Sequence, residues 1–224
     1  MNNYVIASSK NWFDKNLESK KIKSLKPKVI SCKEDLNLNN LTKINPRYIF
    51  FTHWNWIVEK EIFEKFDCIV FHTAPLPYGR GGSPVQNLIL RGFQEAPVCS
   101  LKMTSEIDGG PIYLKKNIKL NGNIDQIFKR IAKAVEDQIF EISTKTIQPE
   151  EQKGKVVNFS RLTNADNKID FNYSISEVYD RIRMVDGLDY PNAYMEFDNF
   201  KLLFKNAKLS NNSIKAEVTF KFKK

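Results

Sequence analysis

Along the first 145 residues, short continuous apolar runs alternate with segments whose apolar positions recur every three or four residues. The runs at residues 4–8, 28–32, 47–54 and 68–71 predict strands. The run 47–54 carries Tyr48, Ile49, Phe50 and Phe51 in succession, as expected of a central strand covered on both faces. Between them, residues 10–23 predict a helix with Trp12, Phe13, Leu17 and Ile22 on one side, 34–41 a weakly patterned piece, and 57–66 a shorter helix. Ser83 reads as the N-cap of another helix, with Pro84 at its first position, Gln86 completing a capping box, Val85, Leu88 and Ile89 inward, and Gly92 at its end. Strands are predicted at 97–104 and 112–120. Asn123 then caps the longest helix, whose Ile124, Ile127, Phe128, Ile131, Val135, Ile139 and Ile142 follow the 3.6-residue period. Strands alternating with helices predict an α/β fold with a mainly parallel sheet.

The polar, turn-rich residues 148–154 break this pattern and divide the chain into an expected core domain, residues 1–150, and an extension, residues 151–224. In the extension Ser174 and Glu177 predict a capping box for a helix reaching Met184, with Ile175, Val178, Tyr179 and Ile182 inward. Strict alternation follows at 193–197, 201–204 and 214–222, with Asn211-Asn212 as a turn, which predicts small antiparallel strands. Apolar residues left exposed on that sheet suggest contact with a second copy as a homodimer.

Composition narrows the function classes. With 42% hydrophobic and 27% charged residues the chain reads as an ordinary globular protein. It contains no apolar run long enough for a membrane span, so no membrane partner is expected. The amino terminus runs directly into a strand pattern, and Cys32, Cys68 and Cys99 lack metal-ligand spacing; a cytoplasmic protein with reduced, buried cysteines and no metal is expected. The net charge of +9 raises polyanionic partners. Because Lys and Arg are spread along the sequence, we expect no nucleic-acid partner from composition.

Two histidines are present, His53 and His72, each at the predicted end of one of two consecutive strands. Strand ends of open α/β sheets are where ligands bind. After His72 comes Leu76-Pro77-Tyr78-Gly79-Arg80-Gly81-Gly82-Ser83-Pro84, a loop whose backbone N–H groups and helix start could meet an anion. Taken singly, a strand-end His is more often structural, Asp108 reads as a turn residue, and Arg80 serves equally as a loop anchor.

The combination is more specific. His72, Leu76-Pro77, Arg80-Gly81, Pro84 and Asp108-Gly110-Pro111, with Arg161, Asp166, Ile169-Asp170-Phe171, Ile182-Arg183 and Tyr190-Pro191-Asn192-Ala193 downstream, closely resembles the family of 10-formyltetrahydrofolate-dependent formyltransferases over about residues 45–197. The resemblance implies a Rossmann-like catalytic domain with helices on both faces of the sheet, and formyl transfer to an amine. It implies His72 as the proton-handling residue and Asp108 as its orienting partner. It places the folate between a loop carrying Trp54, Trp56 and Ile57 and the stretch carrying Leu101, Thr104, Ile107 and Asp108, and the acceptor near Pro77, Tyr78, Arg80, Gly81, Gly82 and Ser83. Val70 stands where the family has a catalytic asparagine. Asn55, just past the neighbouring strand, is the substitute donor we expect, the departure pointing to a nucleotide-linked amino sugar (UDP- or dTDP-linked, 4-amino-6-deoxy) as acceptor in glycan biosynthesis. Methionyl-tRNA, a purine precursor, hydrolysis of formyltetrahydrofolate and a noncatalytic binding module are the alternatives.

Overall fold

A computed structural model describes residues 3–10 and 13–223. The elements, in chain order, are β1 (Asn3–Ser8), α1 (Asp14–Leu17), α2 (Lys20–Leu25), β2 (Lys28–Ile30), α3 (Leu38–Ile44), β3 (Pro46–His53), α4 (Lys60–Lys65), β4 (Cys68–Thr73), β5 (Tyr78–Gly81), α5 (Pro84–Leu90), β6 (Glu95–Lys102), β7 (Ile112–Lys119), α6 (Ile124–Thr144), β8 (Val157–Phe159), α7 (Ile175–Arg183), β9 (Ala193–Phe197), β10 (Phe200–Ser210) and β11 (Ser213–Phe222). The main sheet has the order β2-β1-β3-β4-β6-β7. Its first four strands are parallel, and β6 and β7 join antiparallel.

Period-two alternation explains the continuous apolar runs of the central strands. Tyr4, Ile6, Phe50 and Ile69 face one core, which α6 covers with Ile127, Ile131, Val135 and Ile139. Val5, Ala7, Ile49, Phe51 and Cys68 face a second core, closed by Leu41 of α3 and Ile62 of α4. Helices therefore cover both faces. The predicted capping boxes at Asn123 and Ser174 are both formed.

Several expectations are corrected. The helix predicted over 10–23 is two short ones, because Ser19 restarts the chain as an N-cap accepting from the Ile22 N–H; Trp12 lies outside the described residues. The helix expected from residue 57 begins at Lys60, and Ile57 is 94% exposed. Ser83 has φ +47° and makes no capping bond, so the predicted box with Gln86 is absent; its hydroxyl accepts from the Leu162 N–H instead. Ile175 is exposed rather than inward, and Cys32 is exposed while Cys68 and Cys99 are buried. The pairing of β8 with β5 has no sequence signature.

The C-terminal strands form a separate sheet of order β11-β10-β9. Its register puts Phe200 opposite Phe222, Leu202 opposite Phe220 and Phe204 opposite Val218 on one face. The other face carries Lys201 opposite Lys221, Lys205 opposite Glu217 and Lys208 opposite Lys215. Lys201 is half-buried over the Tyr194 ring and the other four lysines are exposed, so charge that is spread along the sequence is gathered on one face.

The seam between α6 and its neighbours converges on Asp137, whose carboxylate takes Lys21 at 2.5 Å, Lys133 at 3.4 Å and Lys116. Burial pushes its pKa up, but the Lys116 and Lys21 hydrogen bonds outweigh that and hold it at about 2. A depressed carboxylate contributes stability that is present above its unfolded pKa and lost as pH falls toward the folded value. Denaturant titrations of the native protein and Asp137→Asn should therefore differ by about 1–2 kcal/mol at pH 6, and the gap should close between about pH 4 and 2.

Candidate active site

His72 occupies the last turn of the pleat in β4. Alternation puts it on the same face as Cys68 and Val70, and it is 7% exposed. Its Nε2 lies 2.7 Å from the Gly79 carbonyl. A carbonyl only accepts, so Nε2 carries a proton in this arrangement. Nδ1 faces Asp108 Oδ2 at 3.3 Å, and the same oxygen accepts the Gly81 N–H at 2.9 Å. The imidazole is thereby held at both nitrogens, one from β5 and one from the loop between β6 and β7.

The glycine-rich loop has a packing reason. A Cβ on Gly79 would lie 2.8 Å from the Phe159 ring, one on Gly81 2.6 Å from the Phe159 carbonyl, and one on Gly82 2.6 Å from Arg161 Cα. Gly79 and Gly81 also have φ +91° and +98°. The glycines let residues 157–161 cross directly over the loop, and Asn87 Nδ2 binds the carbonyls of Gly82, Ser83 and Ser160. The N–H groups of Gly81 and Gly82 are already given to Asp108 and to the Phe159 carbonyl. The expected anion cradle is corrected accordingly: these donors close the fold.

Arg80 points inward and is 6% exposed. Its Nη1 meets Glu106 at 2.5 Å, while Nε and Nη2 both donate to Gln152 Oε1. This geometry is that of the loop anchor. Pro77, preceded by a cis peptide bond, and Tyr78 belong to the same wall; Tyr78 stacks on Phe93 and meets Phe159 edge-on. Asp108 itself has φ +51°. Gly110 is required beside it, since a Cβ there would sit 1.9 Å from the Lys102 carbonyl.

The expected folate walls separate into two groups. Trp54 packs against the same core cluster as Val70 and Met103, stands T-shaped to Trp56 at 4.9 Å, and buries its Nε1 without an acceptor among the described residues. Asn55, Trp56 and Ile57 follow it in the chain and are exposed, as are Thr104 and Ile107 after β6. An apolar aromatic wall with one unused donor suits a flat heterocycle. Leu101, by contrast, is 1% exposed and packs with Leu76, Cys99 and Ile112 beneath Val70, so its side chain is a floor. Val70 is half-buried and offers no donor on the face it shares with His72.

His53 ends β3 beside β4; burial, and then the charge of Lys10, push its imidazole below the ordinary value. Burial pushes the Cys68 and Cys99 thiols up to about 12 and about 11, so neither is a thiolate at neutral pH. Sequence reasoning missed Gln152, Glu106 and Asn87: each is an ordinary polar residue in a polar stretch, with no local signal.

A family model described as methionyl-tRNA formyltransferase, C-terminal domain, matches residues 164–221. The methionyl-tRNA formyltransferase of Rickettsia typhi is 28% identical over 174 residues, which are 75% of this chain and 57% of that protein. The chain thus spans a little over half the length of that relative. The structure of the methionyl-tRNA formyltransferase from Clostridium thermocellum is 38% identical, covers 100% of both chains and superposes with a TM-score of 0.93. A sugar N-formyltransferase from Shewanella shares the fold, with a TM-score of 0.69 at 18% identity over 94% of this chain and 100% of its own.

Gly81 and Gly92 both have positive φ, but nothing lies within 4 Å of a Cβ on Gly92. Gly92→Ala should cost about 1 kcal/mol, and Gly81→Ala at least about 2 kcal/mol more because backbone must also move. Equal losses in denaturant unfolding would show that β8 does not hold the loop.

Proposed function

The chain belongs to the formyltransferase family, whose members use 10-formyltetrahydrofolate, and we propose that it transfers the formyl group to the amine of methionyl-tRNA. The observation carrying the acceptor is the likeness, across the whole chain, to the Clostridium thermocellum protein. The lysine face of the C-terminal sheet supports it, since exposed lysines that neutralise phosphates supply salt-sensitive affinity for RNA. Methionyl-tRNA, an alternative in the sequence reading, is thereby preferred to the amino-sugar acceptor and to the expectation of no nucleic-acid partner. Nucleotide-linked amino sugar remains the second reading, favoured by one observation: the chain matches the Shewanella sugar enzyme over that protein's full length.

The folate supplies an activated formyl carbon on its N10. Trp54, Trp56 and Ile57, together with Thr104 and Ile107, would hold its ring system. During transfer a C–N bond to the acceptor amine forms as the bond to N10 breaks; the amine loses one proton and N10 gains one. His72 and Asp108 handle that proton, their shared Nδ1–Oδ2 contact keeping the ring oriented. Val70 cannot donate to the oxygen on which negative charge builds. Asn55, with an exposed amide next to the Trp54–Trp56 pair, takes that role.

Incubation with 10-formyltetrahydrofolate and, separately, methionyl-tRNA and a panel of UDP- and dTDP-linked amino sugars should yield formyl-methionyl-tRNA. Formylated sugar with unchanged tRNA would substitute the second reading. His72→Asn should abolish turnover, and Asn55→Ala should lower kcat by about two to three orders of magnitude. Exchanging Lys201, Lys205, Lys215 and Lys221 for Glu should weaken tRNA binding and flatten its dependence on salt.

A further inference from the structure

We propose that Gln152 is a positioning residue for the His72–Asp108 pair, a role that rests on reading that pair as the reacting centre. Gln152 comes from the polar stretch after α6 and is half-buried between exposed Glu151 and Lys153. Its amide uses its whole bonding capacity. Oε1 accepts from Arg80 Nε at 3.1 Å and Nη2 at 2.9 Å, and Nε2 donates to the Asp108 carbonyl at 2.7 Å and the Gly110 carbonyl at 2.8 Å. The guanidinium fixes which way the amide faces, because a flipped amide would set N–H against N–H. Arg80 is itself held by Glu106, on the same loop as Asp108.

The two carbonyls flank Gly109, so one NH2 group pins both sides of the turn. That turn holds Asp108 at φ +51°, a backbone region that costs an aspartate free energy when nothing supports it. In this conformation Asp108 Oδ2 reaches both His72 Nδ1 and the Gly81 N–H. Released from Gln152, Asp108 relaxes toward negative φ and its carboxylate leaves the imidazole. Gln152 therefore acts through Asp108 backbone on the orientation of His72, without touching substrate.

The test uses Gln152→Glu, which keeps acceptor oxygens for Arg80 and replaces the NH2 by an oxygen facing two carbonyls. The chain has only two histidines, so a 1H–15N correlation spectrum of the imidazoles reads His72 directly, with His53 as internal reference. The expected result is a changed His72 pattern with His53 unmoved, and a kcat lower by about tenfold to hundredfold at a donor KM changed less than about twofold. If this variant does not fold, Gln152→Ala is measured the same way. A native His72 pattern in a folded variant, with or without lowered Tm, overturns the proposal, because it would mean that Gln152 only ties down the chain after α6. Should the native protein transfer no formyl group, the spectrum still decides the positioning, and only the proposed reaction falls.

Discussion

A buried imidazole has two nitrogens to satisfy, and much of the site's construction follows from satisfying those of His72 from two different loops. Gly79 supplies a carbonyl to Nε2 and Asp108 a carboxylate to Nδ1. An unpaired polar group at that depth would cost about 1–3 kcal/mol, so the loops must be brought to the ring and held there. Each support in turn requires another. Asp108 needs a left-handed turn and Gly81 an unhindered crossing by Phe159, while the buried charge of Arg80 needs Glu106 and Gln152.

This dependence changes the meaning of the loop between His72 and Pro84. Read alone, Gly79-Arg80-Gly81-Gly82 offers backbone donors and a guanidinium to an anion. In the fold, the donors of Gly81 and Gly82 and the Arg80 guanidinium are bonded within the protein, and the glycines exist so that β8 can lie against β5. What reaches outward is elsewhere: the aromatic pair and exposed Ile57 after β3, and the lysine face at the C-terminal end of the chain. Under the proposed function, donor and acceptor recognition would fall to these surfaces, apart from the buried hydrogen-bonded centre.

The two cores explain why this centre can be rigid. Strands β3 and β4 are covered on both faces, and the helices that cover them are tied at polar points such as Asp137 as well as by apolar packing. His53 and His72 stand at the ends of these two strands, so His72 extends from the well-packed centre of the sheet.

Local chemistry determined much of this protein. Continuous apolar runs identified the central strands, the 3.6-residue period identified α6, and Asn123 and Ser174 marked helix starts because a capping side chain bonds within its own turn. His72 and Asp108 left only the local marks of a strand end and a Gly-flanked turn, which taken singly read as structural; their pairing as a candidate centre came from the spacing shared with the formyltransferase family. Tertiary structure alone decided the rest: that Ser83 serves Leu162 rather than its own helix, that Arg80 faces inward, that Gln152 grips a turn 44 residues away, and that scattered lysines share one face. The physical reason is common to all four. Each depends on which distant segment arrives opposite the residue, and strand register, loop crossing and sheet pairing bring those segments together only once the chain has folded.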